Sequence, residues 1–245
     1  MNGVKEKKMD SKIIVAVDTS DLETASSWIA ALNGYVGLFK LGLEFFMKNG
    51  AAGVRELVSR HNFNLFLDLK LHDIPNTVQG AVESVSDINP RFLTVHASGG
   101  REMISRAAAV NPAISITGVT ILTSLDHSDL TEIGYAGTPL DSAVKLAQLA
   151  SASGARAIVS SPLEVSHIRQ AVSDDIILIT PGVRPASGKQ SDDQKRVMTP
   201  GEAVKSGANY LVIGRPITAE FAHSTTQAVD AAKRINEEIG VVAEK

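Results

Sequence analysis

The feature that most constrains the fold of this chain is a recurrence. Eight short runs rich in Val, Ile, Leu and Phe alternate with segments of helical periodicity, at residues 13–17, 36–41, 64–69, 92–96, 114–119, 157–160, 176–180 and 210–213. Most of these runs are apolar at consecutive positions, which suits strands of a parallel sheet covered on both faces. The segments between them repeat every three to four residues. Leu22, Ala25, Ile29 and Leu32 make one such stripe, and Val229, Ala232, Ile235 and Ile239 make the last. Eight strand–helix units in 245 residues predict an α/β chain folded as one closed (β/α)8 (TIM) barrel. A doubly wound open sheet is the alternative, but no G-x-G-x-x-G follows the first run and no Pro- or Ser-rich linker divides the chain.

Helix starts carry capping chemistry. Ser20 with Glu23, Ser161 with Pro162 and Glu164, and Thr199 with Pro200 and Glu202 each pair a hydroxyl with a carboxylate that can satisfy the first orphan amides. Gly207 is placed to end the helix that Thr199 opens. Asn89-Pro90 and Asn111-Pro112 read as turns before the fourth and fifth strands. Residues 1–10 read as a frayed lead-in without a chemical role, leaving residues 11–245 for the barrel. The longest stretch without apolar periodicity, 184–196, directly follows the seventh run, where a long loop in a compact domain is usually functional.

Composition removes several classes of function. There is no cysteine, so disulfides, thiolate metal sites and a cysteine nucleophile are excluded, and a reducing cytoplasm is allowed. The 24 basic and 27 acidic residues nearly balance, which argues against nucleic acid as a partner. No apolar segment has the length of a membrane span, and the charged start MNGVKEKKMD lacks the apolar core of a signal peptide. The six histidines show neither H-x-H nor H-E-x-x-H spacing, so no metal site is expected, and nothing indicates a nicotinamide, flavin or pyridoxal cofactor. Trp28 and the Phe45-Phe46 pair read as core or interface, and His96 as a satisfied residue of the barrel floor.

In a barrel, chemistry belongs at the carboxyl ends of the strands. Asp18 closes the first run, Lys40 the second, Asp68 and Lys70 the third and His96 the fourth, with Asp73 three residues further on. Strand alternation puts Asp68 and Lys70 on one side, both facing the barrel mouth. A buried ion-pair network without chemistry is the competing reading. Burying four charges is costly where apolar residues would serve as well, so four alternating charges at strand ends favour function. The seventh and eighth runs lead into PGVRP (181–185) and IGRP (213–216). Each sets a glycine and an arginine, Arg184 and Arg215, in the loops where this fold commonly binds phosphate.

These residues resemble a known family. DLKLHDIPNT (68–77) is similar to the active-site signature of the orotidine 5'-phosphate decarboxylases, and the likeness extends through IIVAVD (13–18), LFKLG (38–42), VHASGG (95–100), ILTS (121–124), PGVRP, DQKRVMTP (193–200) and VIGRPIT (212–218). The resemblance implies cofactor-independent decarboxylation of orotidine 5'-monophosphate to UMP and CO2, in the cytoplasm, by a homodimer. It implies catalytic roles for Lys40, Asp68, Lys70 and Asp73. Lys70 would protonate C6, Asp68 would destabilise the substrate carboxylate, and Asp73 and Thr77 would reach across the dimer interface. Asp18 and Lys40 would contact the ribose, Thr123 and Ser124 the pyrimidine edge, and Gln194, Gly214, Arg215 and Arg184 the phosphate. Two other readings stay open. One is a metal-dependent sugar-phosphate decarboxylase or hexulose-phosphate synthase of the same superfamily, in which an acidic metal ligand stands where Lys40 stands here. The other is a non-catalytic nucleotide-binding barrel.

Overall fold

The computed structural model describes residues 11–185 and 198–243. Eight parallel strands close on themselves in sequence order: β1 (Ile13–Ala16), β2 (Leu38–Gly42), β3 (Leu65–Leu71), β4 (Phe92–His96), β5 (Ser115–Val119), β6 (Ala157–Val159), β7 (Ile177–Pro181) and β8 (Tyr210–Ile213), with β8 pairing back onto β1. Helices alternate with the strands and form the outer layer. The barrel read from the eight apolar runs is therefore the fold, and each expected strand falls within two residues of an observed one. Among the described residues no helix is long and apolar enough to cross a membrane.

Two layers of apolar contact hold the barrel. Ile14, Leu38, Phe66, Phe92, Ala157 and Ile179 fill its interior, while a larger cluster seals the helices onto the outer face of the sheet. Phe92 meets Phe66 and Tyr210 edge-on, with centroids 5.9 and 5.8 Å apart, and the Arg91 guanidinium lies over both Phe92 and Tyr210, closing the amino end of the barrel. Trp28 is only partly buried and stacks on Phe221, with centroids 5.3 Å apart, whereas Phe45 lies in the core.

The caps partly follow expectation. Thr199 and Glu202 form a reciprocal capping box at the helix Pro200–Lys205, and Gly207, at φ +109°, follows its end. At the first helix, Leu22–Leu32, the cap is Asp21 and not Ser20: its carboxylate accepts from the Thr24 amide at 2.7 Å, a charge-assisted bond that lies one residue closer to the helix. Glu23, free of the capping role, pairs with Arg60. After β6 the Glu164 carboxylate accepts from the Ser161 amide as expected, but this closes a turn, and the helix begins only at Val165. The lead-in 1–10 lies outside the described residues.

Candidate active site

Four charges expected at the strand ends converge at the barrel mouth. Asp68, 8% exposed, is the centre: Lys70 Nζ lies 2.9 Å from both of its carboxylate oxygens, and Lys40 Nζ approaches from the neighbouring strand at 3.6 Å. Lys40 also donates to Asp18 at 3.2 Å, so the order across the mouth is Asp18, Lys40, Asp68, Lys70. The β2–β3 register, which sets Gly42 against Asp68, holds this order in place. Gly42 is part of the arrangement, since a Cβ there would sit 3.2 Å from Lys40 Nζ.

Lys70 reaches its position by a route that simple alternation does not contain. Its φ is +48°, left-handed for a side-chain-bearing residue, and the β3–β4 register shifts between Leu67 and Leu71. Lys70 is thus a bulge, and the bulge, not the pleat, turns its ammonium back onto Asp68. Such strain of order 1–3 kcal/mol persists only where surrounding contacts hold it. Here the contact is Thr94 on β4. Its hydroxyl, in a fully buried residue, accepts from the Lys70 amide at 2.8 Å and donates to Asp68 Oδ1 at 3.0 Å. Burial works to raise the Asp68 pKa, but the charges of Lys40 and Lys70 and hydrogen bonds from Lys70 and Thr94 outweigh it and hold the carboxyl below its ordinary range.

A cleft of ≈1170 Å³ opens over this array. Asp18, Lys40, Asp68 and Lys70 line one side, Thr123 and Ser161 the loops after β5 and β6, and Arg184, Gly214 and Arg215 the side formed by the β7 and β8 loops. Gly182, at φ +79°, turns the chain after β7, and a bridge between Val183 and Met198 joins the chain on either side of residues 186–197. Charge array and arginines therefore face one cavity, with room between them for a phosphorylated ligand.

Other expected residues lie elsewhere. Asp73 and Thr77 are exposed; Asp73 accepts from the Ile74 amide at 2.7 Å and makes no described ion pair with Lys70 of its own chain. Ser124 is exposed and outside the cleft lining. Gln194 falls outside the described residues. His96 is not on the barrel floor: it ends β4 at the carboxyl rim, its ring 5.4 Å from that of His72. Burial, followed by the charges of His72 and Lys70, pushes its pKa down. Thr94 was missed by the sequence reading. The signal available was its phase, two residues from Phe92 and two from His96, on the inward side of β4.

The fold and this cleft are those of a (β/α)8-barrel enzyme whose mouth carries an alternating charge array on one side and two arginines on the other. The comparisons narrow the class. The model of the orotidine 5'-phosphate decarboxylase / HUMPS family matches residues 11–242, and the chain belongs to that family. The orotidine 5'-phosphate decarboxylase of Thermobifida fusca is 50% identical over 210 residues, covering 86% of this chain and 90% of the relative. That of Moorella thermoacetica is 44% identical over 241 residues, covering 94% and 93%. The crystal structure of the Lactobacillus acidophilus orotidine 5'-phosphate decarboxylase superposes with a TM-score of 0.80 at 31% identity, covering 94% of this chain and 99% of that one.

Proposed function

We propose that this protein converts orotidine 5'-monophosphate to UMP and CO2 without a cofactor. The observation that carries the reading is the Lys40–Asp68–Lys70 array, with Lys70 Nζ 2.9 Å from both Asp68 oxygens, facing a cleft whose far side bears Arg184 and Arg215. Loss of CO2 from C6 leaves an electron pair in an in-plane orbital with no adjacent electron sink, so stabilisation must be electrostatic. The phosphate, held by Arg184, Gly214, Arg215 and Gln194, supplies binding energy remote from the reacting carbon. Asp18 and Lys40 hold the ribose, and Thr123, which lines the cleft, the pyrimidine edge. Asp68 lies against the substrate carboxylate and opposes the ground state. The C6–carboxylate bond breaks, its electron pair stays on C6, CO2 departs, and Lys70 Nζ delivers a proton to C6. The resulting amine regains its proton from solvent.

The reading extends to a homodimer in the cytoplasm, each chain one barrel domain over residues 11–245, in which Asp73 and Thr77 complete the partner's site. Exposed Leu43, Met47 and Ile74, which follow β2 and β3 at the same end of the barrel, support an interface there. The metal-dependent reading is disfavoured by Lys40, whose ammonium already bridges Asp18 and Asp68, where a divalent cation would need a carboxylate. The test is direct. On mixing with orotidine 5'-monophosphate, its ultraviolet absorbance should fall as UMP forms, at the same rate with or without EDTA. Binding without turnover would instead support a nucleotide-binding barrel, and loss of activity in EDTA the metal-dependent relatives.

A further inference from the structure

We infer that Thr94 is a positioning residue for the proton donor, setting the Lys70 ammonium and the Asp68 carboxylate in their working geometry without itself touching the substrate. The inference rests on the decarboxylase reading above and adds to it a residue outside the charge array. Thr94 is fully buried in the middle of β4, and its one hydroxyl is used in both directions: it accepts the Lys70 amide hydrogen at 2.8 Å and gives its own hydrogen to Asp68 Oδ1 at 3.0 Å. The ladder between β3 and β4 breaks at this point, since pairing runs from Phe66–Phe92 and Leu67–Leu93 and resumes only at Leu71–Val95. The Lys70 amide, taken out of regular pairing by the left-handed turn at φ +48°, is held by the Thr94 hydroxyl. A left-handed conformation at a lysine needs a compensating contact. Threonine provides it at the residue whose side chain must point back toward Asp68.

The hydroxyl also leaves Asp68 fully engaged. One oxygen takes hydrogen bonds from Lys70 and Thr94, and the other faces Lys70 and Lys40. A carboxylate gripped from three elements cannot rotate away when a second carboxylate is brought against it. Thr94 acts on the reaction through that constraint. Valine has the same shape and suits a strand, but it can neither donate nor accept. In Thr94→Val the Lys70 amide and Asp68 each lose a partner, Lys70 is freed to return to extended backbone, and its ammonium moves off the axis toward the reacting carbon.

Steady-state kinetics of Thr94→Val and Thr94→Ser beside the wild type test this. Thr94→Val should lower kcat at least about tenfold, equivalent to ~1.4 kcal/mol of barrier, with KM changed less than about threefold, because the phosphate and ribose contacts are untouched. Thr94→Ser, which keeps the hydroxyl, should restore kcat to within about threefold of wild type. Thermal unfolding of both variants separates this from a merely structural role. A Thr94→Val protein with a lowered Tm and wild-type kcat overturns the inference. So does an equal kcat loss in the serine variant, or a loss confined to KM. Should the valine variant not fold, Thr94→Ala removes the same hydroxyl and is read by the same criteria. An inactive wild type overturns the decarboxylase reading and this inference together, whereas an active wild type with an unaffected Thr94→Val overturns this inference alone.

Discussion

Removing the Lys70 ammonium is the sharpest perturbation of the proposed chemistry. In Lys70→Ala the backbone keeps its bond to Thr94, and Asp68 keeps Thr94 at 3.0 Å and Lys40 at 3.6 Å, so the carboxylate is not stranded and the fold should survive. What is lost is the cation closest to the bond being broken. The proposed proton transfer sets the Lys70 ammonium, which stands 2.9 Å from Asp68, about 4 Å or less from C6 in the bound substrate. A unit charge at ~4 Å interacts at ~4 kcal/mol for an effective dielectric near ~20, which is roughly a thousandfold in rate. Loss of the proton donor adds to this, so kcat should fall by about 10³ or more. UMP carries no carboxylate at C6, so its affinity should fall by less than about tenfold. Stopped or continuous absorbance assays with orotidine 5'-monophosphate give the rate, and titration with UMP gives the affinity. Retention of more than about a tenth of the wild-type rate would leave only ~1.4 kcal/mol to Lys70 and refute its assignment as the acid.

Three further outcomes follow from the geometry. If Asp73 completes the partner's site, mixing inactive Lys70→Ala and Asp73→Ala dimers should restore activity to about a quarter of all sites after random subunit exchange, and continued inactivity after confirmed exchange rules out the shared site. His96, pushed down by burial and by His72 and Lys70, should titrate by NMR with a midpoint below 6.5. Because the depressed group takes up fewer protons folded than unfolded, its contribution to stability is present above that pH and lost as pH falls through its folded pKa; a midpoint at or above 6.5 contradicts the burial argument. In Gly37→Ala the new Cβ would stand 2.2 Å from the Ser11 carbonyl oxygen, so β2 must shift, at a cost of about 1–3 kcal/mol in urea unfolding; an unchanged midpoint would mean that the β1–β2 junction is softer than its packing implies.

The barrel was legible before any coordinates because its determinants are local. Strand burial, helical stripes and the Thr199–Glu202 cap are each written within a few consecutive residues, and eight repeats of one pattern leave little choice of topology. The position of the charges at strand ends was legible for the same reason: Asp18, Lys40, and Asp68 with Lys70 lie at the ends of three runs that are otherwise apolar. Adjacent capping residues were less so. Ser20 and Asp21 both fit the pattern, and only the path of the chain into the helix Leu22–Leu32 selects Asp21.

What the tertiary structure alone decided is how those charges meet. Lys40 and Asp68 come together through the register between β2 and β3, a relation between residues 28 apart that no local period encodes. Alternation sent Lys70 to the correct side for the wrong reason, since its backbone leaves the pleat at φ +48° and is held by Thr94, 24 residues away on the next strand. The same limit applies to His96: its place as the last residue of the fourth run was legible, but its neighbour, the His72 ring 5.4 Å away, comes from the loop after β3 and is set by the fold. Sequence periodicity reports which face of an element a residue occupies. The distances on which electrostatic catalysis depends are set by how elements far apart in the chain are aligned, and that alignment is a property of the closed sheet as a whole.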